Sequence, residues 1–215
     1  MLLTFVTHPS FLLEGEKLAL LFDYFGEGEV PKTDKELVVL SSHSHQDHYN
    51  KVIFSLNAKE YILSDTIKLK DVPANKRERT KRFHAGEKFK VDDIEFITLP
   101  STDIGISFYF TFEGKRIYFA GDNNIWYWDE EDEHMIKDFE ANIAPIKGVD
   151  IAFIPTDPRL GSHALDGAKD FIRLKNPSLL VPMHMWKDYT MAKKAKEELT
   201  VKVLEITKEG QRMEI

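Results

Sequence analysis

The chain has 215 residues and a mass of 24.9 kDa, and 42% of its residues are apolar, which suits one ordinary domain with a buried core and excludes intrinsic disorder. Its 29 basic and 36 acidic residues leave a net charge of −7, so long-range attraction to nucleic acid or to an anionic membrane is not expected. There is no cysteine, which excludes a disulfide framework, a thiolate nucleophile and Cys-ligated zinc or iron–sulfur clusters. Any metal must therefore sit on His, Asp or Glu.

No apolar run is long enough to span a bilayer. The start, MLLTFVTHPSFLLEGEK, lacks the basic stretch and small-residue cleavage site of a signal peptide. A cytoplasmic protein without membrane association is expected. Residues 2–7 and 11–24 read as strands of an N-terminal hairpin, with EGEK at 14–17 as its turn. Residues 36–42 form a buried strand, 50–58 a short helix and 60–64 another strand. Residues 65–82 read as a polar loop, basic at 75–82. Strands follow at 87–91, 93–99, 105–112 and 115–120, the last two joined by EGK at 113–115. The stretch 129–148 predicts an amphipathic helix with Met135, Ile136, Phe139 and Ile143 on one face. Strands 150–155, 178–183 and 201–207 then alternate with helices 164–175 and 188–199. The whole is read as a single α/β domain over 1–215.

The chemistry concentrates in HSHQDH at 43–48. His43, His45 and Asp47 stand at i, i+2 and i+4, which puts them on one side of an extended segment, and a turn could add His48. Imidazole together with carboxylate suits zinc, iron, manganese and related divalent ions. The cluster follows an apolar strand, and further polar groups follow other strands: Ser101, Thr102 and Asp103, then Asp122, then Asp157 and His163, then His184. Trp126, Tyr127 and Trp128 sit just after Asp122, and Trp186 just after His184; they either wall a substrate pocket or pack the sheet edge. Arg159 reads as an ion-pair partner of Asp157, with an anion-binding role as the alternative.

These motifs resemble the metallo-β-lactamase superfamily. HSHQDH matches its H-x-H-x-D-H signature, AGD at 120–122 its Gly-Asp, and PMH at 182–184 its late His. THPSFLLEGEKLALLFDYF, with His8 and Asp23, further resembles the branch related to L-ascorbate 6-phosphate lactonase. The resemblance implies an αββα four-layer sandwich of two mixed sheets with helices outside. It also implies His43 and His45 on one metal site, Asp47, His48 and His184 on a second, and Asp122 bridging them. The family's mid-chain ligand His is missing, because that stretch reads PSTDIGIS. Asp103, Ser101 or His163 could compensate. His8, Asp103, Asp157 and His163 are accordingly candidates for supporting or substrate-facing roles.

The expected activity is metal-dependent hydrolysis by a metal-bound hydroxide, with one or two zinc ions, or manganese or iron, as the cofactor. Asp47 is the expected catalytic residue, orienting the nucleophile. A small-molecule ester or lactone is the expected substrate. The alternatives are a phosphodiesterase or nuclease of the same superfamily, supported only by basic residues 75–82, and a non-catalytic metal-binding domain.

Overall fold

A computed structural model describes residues 1–128 and 132–215. The chain divides into two units, one of residues 1–84 with 208–215, the other of residues 85–207. Each is built on a seven-stranded mixed sheet.

The first unit begins with an antiparallel meander of β1 (Leu2–Phe5), β2 (Phe11–Glu14) and β3 (Leu18–Phe22). The turn expected at EGEK joins β2 to β3. From β3 the sheet turns parallel through β4 (Glu36–Ser41), β5 (Glu60–Ser64) and β6 (Thr80–Phe83). Strand β3 is apolar along its whole length, LALLF, and every residue is buried, as a central strand covered on both faces requires. One face carries Leu12, Leu21, Val39, Tyr61 and Leu63, packed with Ile53, Phe54, Ile67 and Val72 from the connections. Those connections are 3-10 turns, Lys51–Ser55 and Leu69–Asp71 among them, and the expected short helix at 50–58 is the first of these. Asn50 starts it by accepting the Val52 N–H on its side chain.

Two strands depart from the sequence reading. The stretch 65–82 is not a plain loop, because Ala74–Arg79 forms a 3-10 helix and TKRF forms the edge strand β6. Its exposed Lys81 and Arg82 blunt an open edge, which is why its composition hides it. The polar C-terminal segment QRME forms β14 (Gln211–Glu214), paired antiparallel with β1 on the opposite edge.

The second unit repeats the scheme. A meander of β7 (Lys88–Val91), β8 (Ile94–Pro100), β9 (Ile106–Phe112) and β10 (Lys115–Phe119) leads into parallel strands β11 (Ile151–Pro155), β12 (Leu179–Met183) and β13 (Lys202–Val203). Strand β13 is two residues long, much shorter than the expected 201–207. The helices are α1 (Glu133–Ile143), α2 (Asp166–Lys175) and α3 (Thr190–Glu198). Phe139 and Ile143 of α1 are buried as their spacing predicts, while Met135 and Ile136 are half-buried. Asp129, Glu130 and Glu131, the start of the expected helix, lie outside the described residues. Asp132 caps α1 by accepting the His134 N–H. The helix expected at 164–175 is α2, and a 3-10 segment, Pro158–His163, precedes it. Gly161, at φ +58, puts a kink inside that 3-10 segment.

Candidate metal centre

In both units the polar groups leave the carboxyl ends of parallel strands, next to the strand where the sheet changes from antiparallel to parallel. Ligand sites in open α/β sheets gather at such ends.

In the first unit, β3 and β4 run in parallel register with Phe22 opposite Leu40, so the residues just beyond each strand are neighbours. Asp23 follows β3 and donates its backbone N–H to Leu40 O. Its φ of +45 is a left-handed conformation that a non-glycine residue keeps only when its surroundings hold it. The fully buried Asp23 carboxylate supplies that hold. It accepts the Ser42 N–H at 2.7 Å, the Ser42 hydroxyl at 2.7 Å and His48 Nδ1 at 2.8 Å. Ser42 spends its one proton on Asp23, so its oxygen accepts the Nδ1 proton of His43 at 2.9 Å. Both buried imidazoles are thereby fixed as Nδ1–H tautomers that present Nε2 as the lone-pair nitrogen.

HSHQDH is extended only at its start. His48 and Tyr49 donate their N–H groups to His45 O, and this turn carries His48 back beside His43, with ring centroids 4.1 Å apart. The expectation of one extended ligand strip therefore fails at Asp47, which the turn delivers. His43 and His45 have ring centroids 4.6 Å apart and ligand nitrogens within 4.8 Å. Asp47 Oδ2 lies 3.7 Å from His8 Nε2 and 3.8 Å from His48 Nε2. His8 is 5% exposed, so the first loop contributes a buried imidazole to this cluster.

In the second unit, the register that sets Pro155 opposite Met183 brings Asp157, just past β11, beside His184, just past β12. Thr156 N–H donates to Met183 O and locks the two exits together. His184, at φ +60, donates Nδ1–H to Asp157 Oδ2 at 2.8 Å and again presents Nε2. Burial pushes the Asp157 carboxyl up, but the hydrogen bonds from His184 and Arg159 outweigh it and hold it well below the usual carboxylate range. The expected Arg159–Asp157 pair is present, with Nε 3.0 Å from both carboxylate oxygens. The Arg159 guanidinium lies over the rings of Trp128, at 5.1 Å, and Trp186, at 4.4 Å.

Asp122 follows β10 in a turn that Gly121 permits at φ +54. It is 6% exposed, and its Oδ1 lies 3.2 Å from His184 Nε2. Two ligands bound at about 2.0–2.1 Å in tetrahedral geometry stand roughly 3.3 Å apart, so this pair has the spacing of donors to one ion. Trp126 donates its indole N–H to Asp122 O and turns its ring edge-on to His184 at 5.5 Å. The aromatic residues after Asp122 thus pack about the ligand residues, although Trp128 remains 55% exposed.

The other candidates are placed as follows. Asp103 is exposed, in a loop whose Thr102 binds the 122–124 backbone. His163 is bound to Asp166 at 2.7 Å and lies edge-on to Tyr127. His134, on α1, is exposed. Ser42 is the residue that motif reading passed over, and its signal was the polar pair closing the apolar run ELVVLSS.

The donor set fits a divalent ion: imidazoles with their Nδ1 side occupied, and carboxylates with oxygens toward the Nε2 side. Comparison with known proteins agrees. A metal-dependent hydrolase of the UPF0173 group from Desulforamulus reducens is 25% identical over 242 aligned positions covering the whole of both chains. Igni18, a metallo hydrolase of the archaeon Ignicoccus hospitalis, superposes with a TM-score of 0.68 at 18% identity, over 100% of this chain and 98% of its own. YhfI of Bacillus subtilis, a metallo-β-lactamase fold protein, gives 0.65 at 14% identity over 99% of each chain, and both likenesses show a shared fold. The sequence pattern of the β-lactamase superfamily domain matches residues 2–184, and the chain belongs to that superfamily.

Proposed function

We propose that this protein is a metal-dependent hydrolase whose substrate is a small-molecule ester or lactone. The observation that carries the reading is that His43, His48 and His184 are each held through Nδ1 by a buried acceptor, so that each offers Nε2 to a metal. The proposed ligands are His43, His45, Asp47, His48, Asp122 and His184, for one or two ions, zinc first, with manganese or iron as alternatives. The relatives named metal-dependent hydrolases support the class of activity.

A divalent ion held by these residues would lower the pKa of water to about 7 and would polarise the electrophilic oxygen. The chain's own residues do the rest. Asp23, Ser42 and Asp157 fix ring orientation, so the ligand nitrogens need no reorganisation during turnover. Asp47 accepts a hydrogen bond from the attacking water and aims it at the carbonyl carbon. It takes a proton from that water as the new C–O bond forms and returns it to the alkoxide released as the ester C–O bond breaks. Trp126 and Trp186 stand edge-on to His184 and exclude water around it.

The test is a hydrolysis screen of lactones, esters and phosphodiesters with wild type, His48→Ala, Asp122→Ala and Asp47→Asn. Asp47→Asn is expected to lower kcat by about 10²- to 10⁴-fold, the range for a lost acid–base group. Full turnover in His48→Ala or Asp122→Ala would refute the mechanism. Turnover confined to phosphodiesters would move the chain to the phosphodiesterase reading.

A further inference from the structure

We infer that Asp103 is a further metal ligand, on the ion held by Asp122; this rests on the metal-centre reading above. A carboxylate oxygen of Asp103 lies within 4.8 Å of one from Asp122. Two carboxylates this close repel, the more so because Asp122 is 6% exposed, and a divalent cation between them reverses the sign of that interaction. The Asp122 oxygen is also 3.2 Å from His184 Nε2, so Asp122 is the carboxylate that faces a ligand nitrogen in this unit.

The approach of Asp103 is fixed by backbone rather than by a wandering surface side chain. Thr102 donates its N–H to Asn123 Oδ1 at 3.1 Å and its hydroxyl to Asn124 O at 2.6 Å. It also accepts the Asn124 N–H at 3.0 Å. These bonds tie the loop after β8 to the segment that carries Asp122. The two rivals are committed elsewhere. Ser101 Oγ accepts the Asp103 N–H, which shapes the turn. His163 is bound to Asp166 and stacks edge-on with Tyr127. Asp103 therefore supplies the donor that PSTDIGIS lacks as histidine.

The experiment strips the full-length protein with a chelator and titrates zinc and manganese calorimetrically, with elemental analysis of the reloaded chain. Cobalt(II) absorption serves as a spectroscopic signature of coordination. The variants are Asp103→Ala and, as the conservative change that keeps a carboxylate, Asp103→Glu. Asp103→Ala is expected to lose about tenfold or more in affinity for at least one ion and to change the cobalt spectrum, while Asp103→Glu restores affinity toward wild type. Both stripped variants should keep the wild-type circular dichroism, because Asp103 is exposed. Equal affinity, stoichiometry and cobalt spectrum in Asp103→Ala and wild type overturn the inference alone. A wild-type chain that binds no divalent ion overturns the metal-centre reading itself.

Discussion

Asp23 and Asp157 do the same work in the two units: each is fully buried, follows a parallel strand and takes the Nδ1 proton of a histidine at 2.8 Å. Asp23 was legible only through its family resemblance, and Asp157 only as a polar group at a strand exit, because a hydrogen bond across 27 positions has no local signal. Their replacement should be felt through the metal rather than through substrate contact. Asp23→Asn can leave an amide N–H facing His48, which favours the wrong tautomer. Metal affinity is expected to fall about 10- to 100-fold, read by competition with a chromophoric chelator. Unchanged affinity would show that His48 needs no help in orientation.

At the scale of elements, two substitutions separate local propensity from packing. Gly167 lies inside α2, where Gly→Ala ordinarily stabilises by about 1 kcal/mol. Here a Cβ would run into Asn124 Oδ1 and approach the Ile125 backbone nitrogen at 3.2 Å. Gly167→Ala is therefore expected to destabilise by about 1–3 kcal/mol in urea unfolding, the cost of overpacking. A gain in stability would mean that the buried Asn124 side chain swings aside. Asp150, just before β11, accepts the Arg116 N–H at 2.8 Å and its guanidinium at 2.9 Å. Those hydrogen bonds hold the Asp150 carboxyl below its ordinary value. A depressed folded-state pKa stabilises above the unfolded carboxylate pKa, and the gain is lost as pH falls through the folded value. Asp150→Asn should cost about 0.5–1 kcal/mol at pH 7, discounted for the exposure of the pair. The gap should begin to shrink near pH 4, where unfolded carboxylates protonate, and close only below the depressed folded value. A gap independent of pH would assign the effect to the backbone hydrogen bond.

For the whole molecule, the first unit draws on both chain ends, since β14 pairs with β1 and Gly210 N–H donates to Phe5 O. Metal that binds only the folded chain stabilises it by about 2.7 kcal/mol at a hundredfold excess over Kd. For a chain of this length that corresponds to about 5–10 °C in Tm. Calorimetric scans of stripped and zinc-loaded protein check this, and coincident transitions would mean that the metal does not couple to folding.

The order of apolar strands, the amphipathic face of α1 and the run of ligand-type residues at strand exits are legible in the sequence, because periodicity and composition are local properties. It did not reveal β6 or β14, whose polar residues become strands only by pairing with β5 and β1. Long-range packing settles which nitrogen His43, His48 and His184 present, which buried group holds each, and that Asp103 approaches Asp122. Those outcomes depend on register between parallel strands far apart in sequence, where a shift of one residue would turn every side chain to the opposite face.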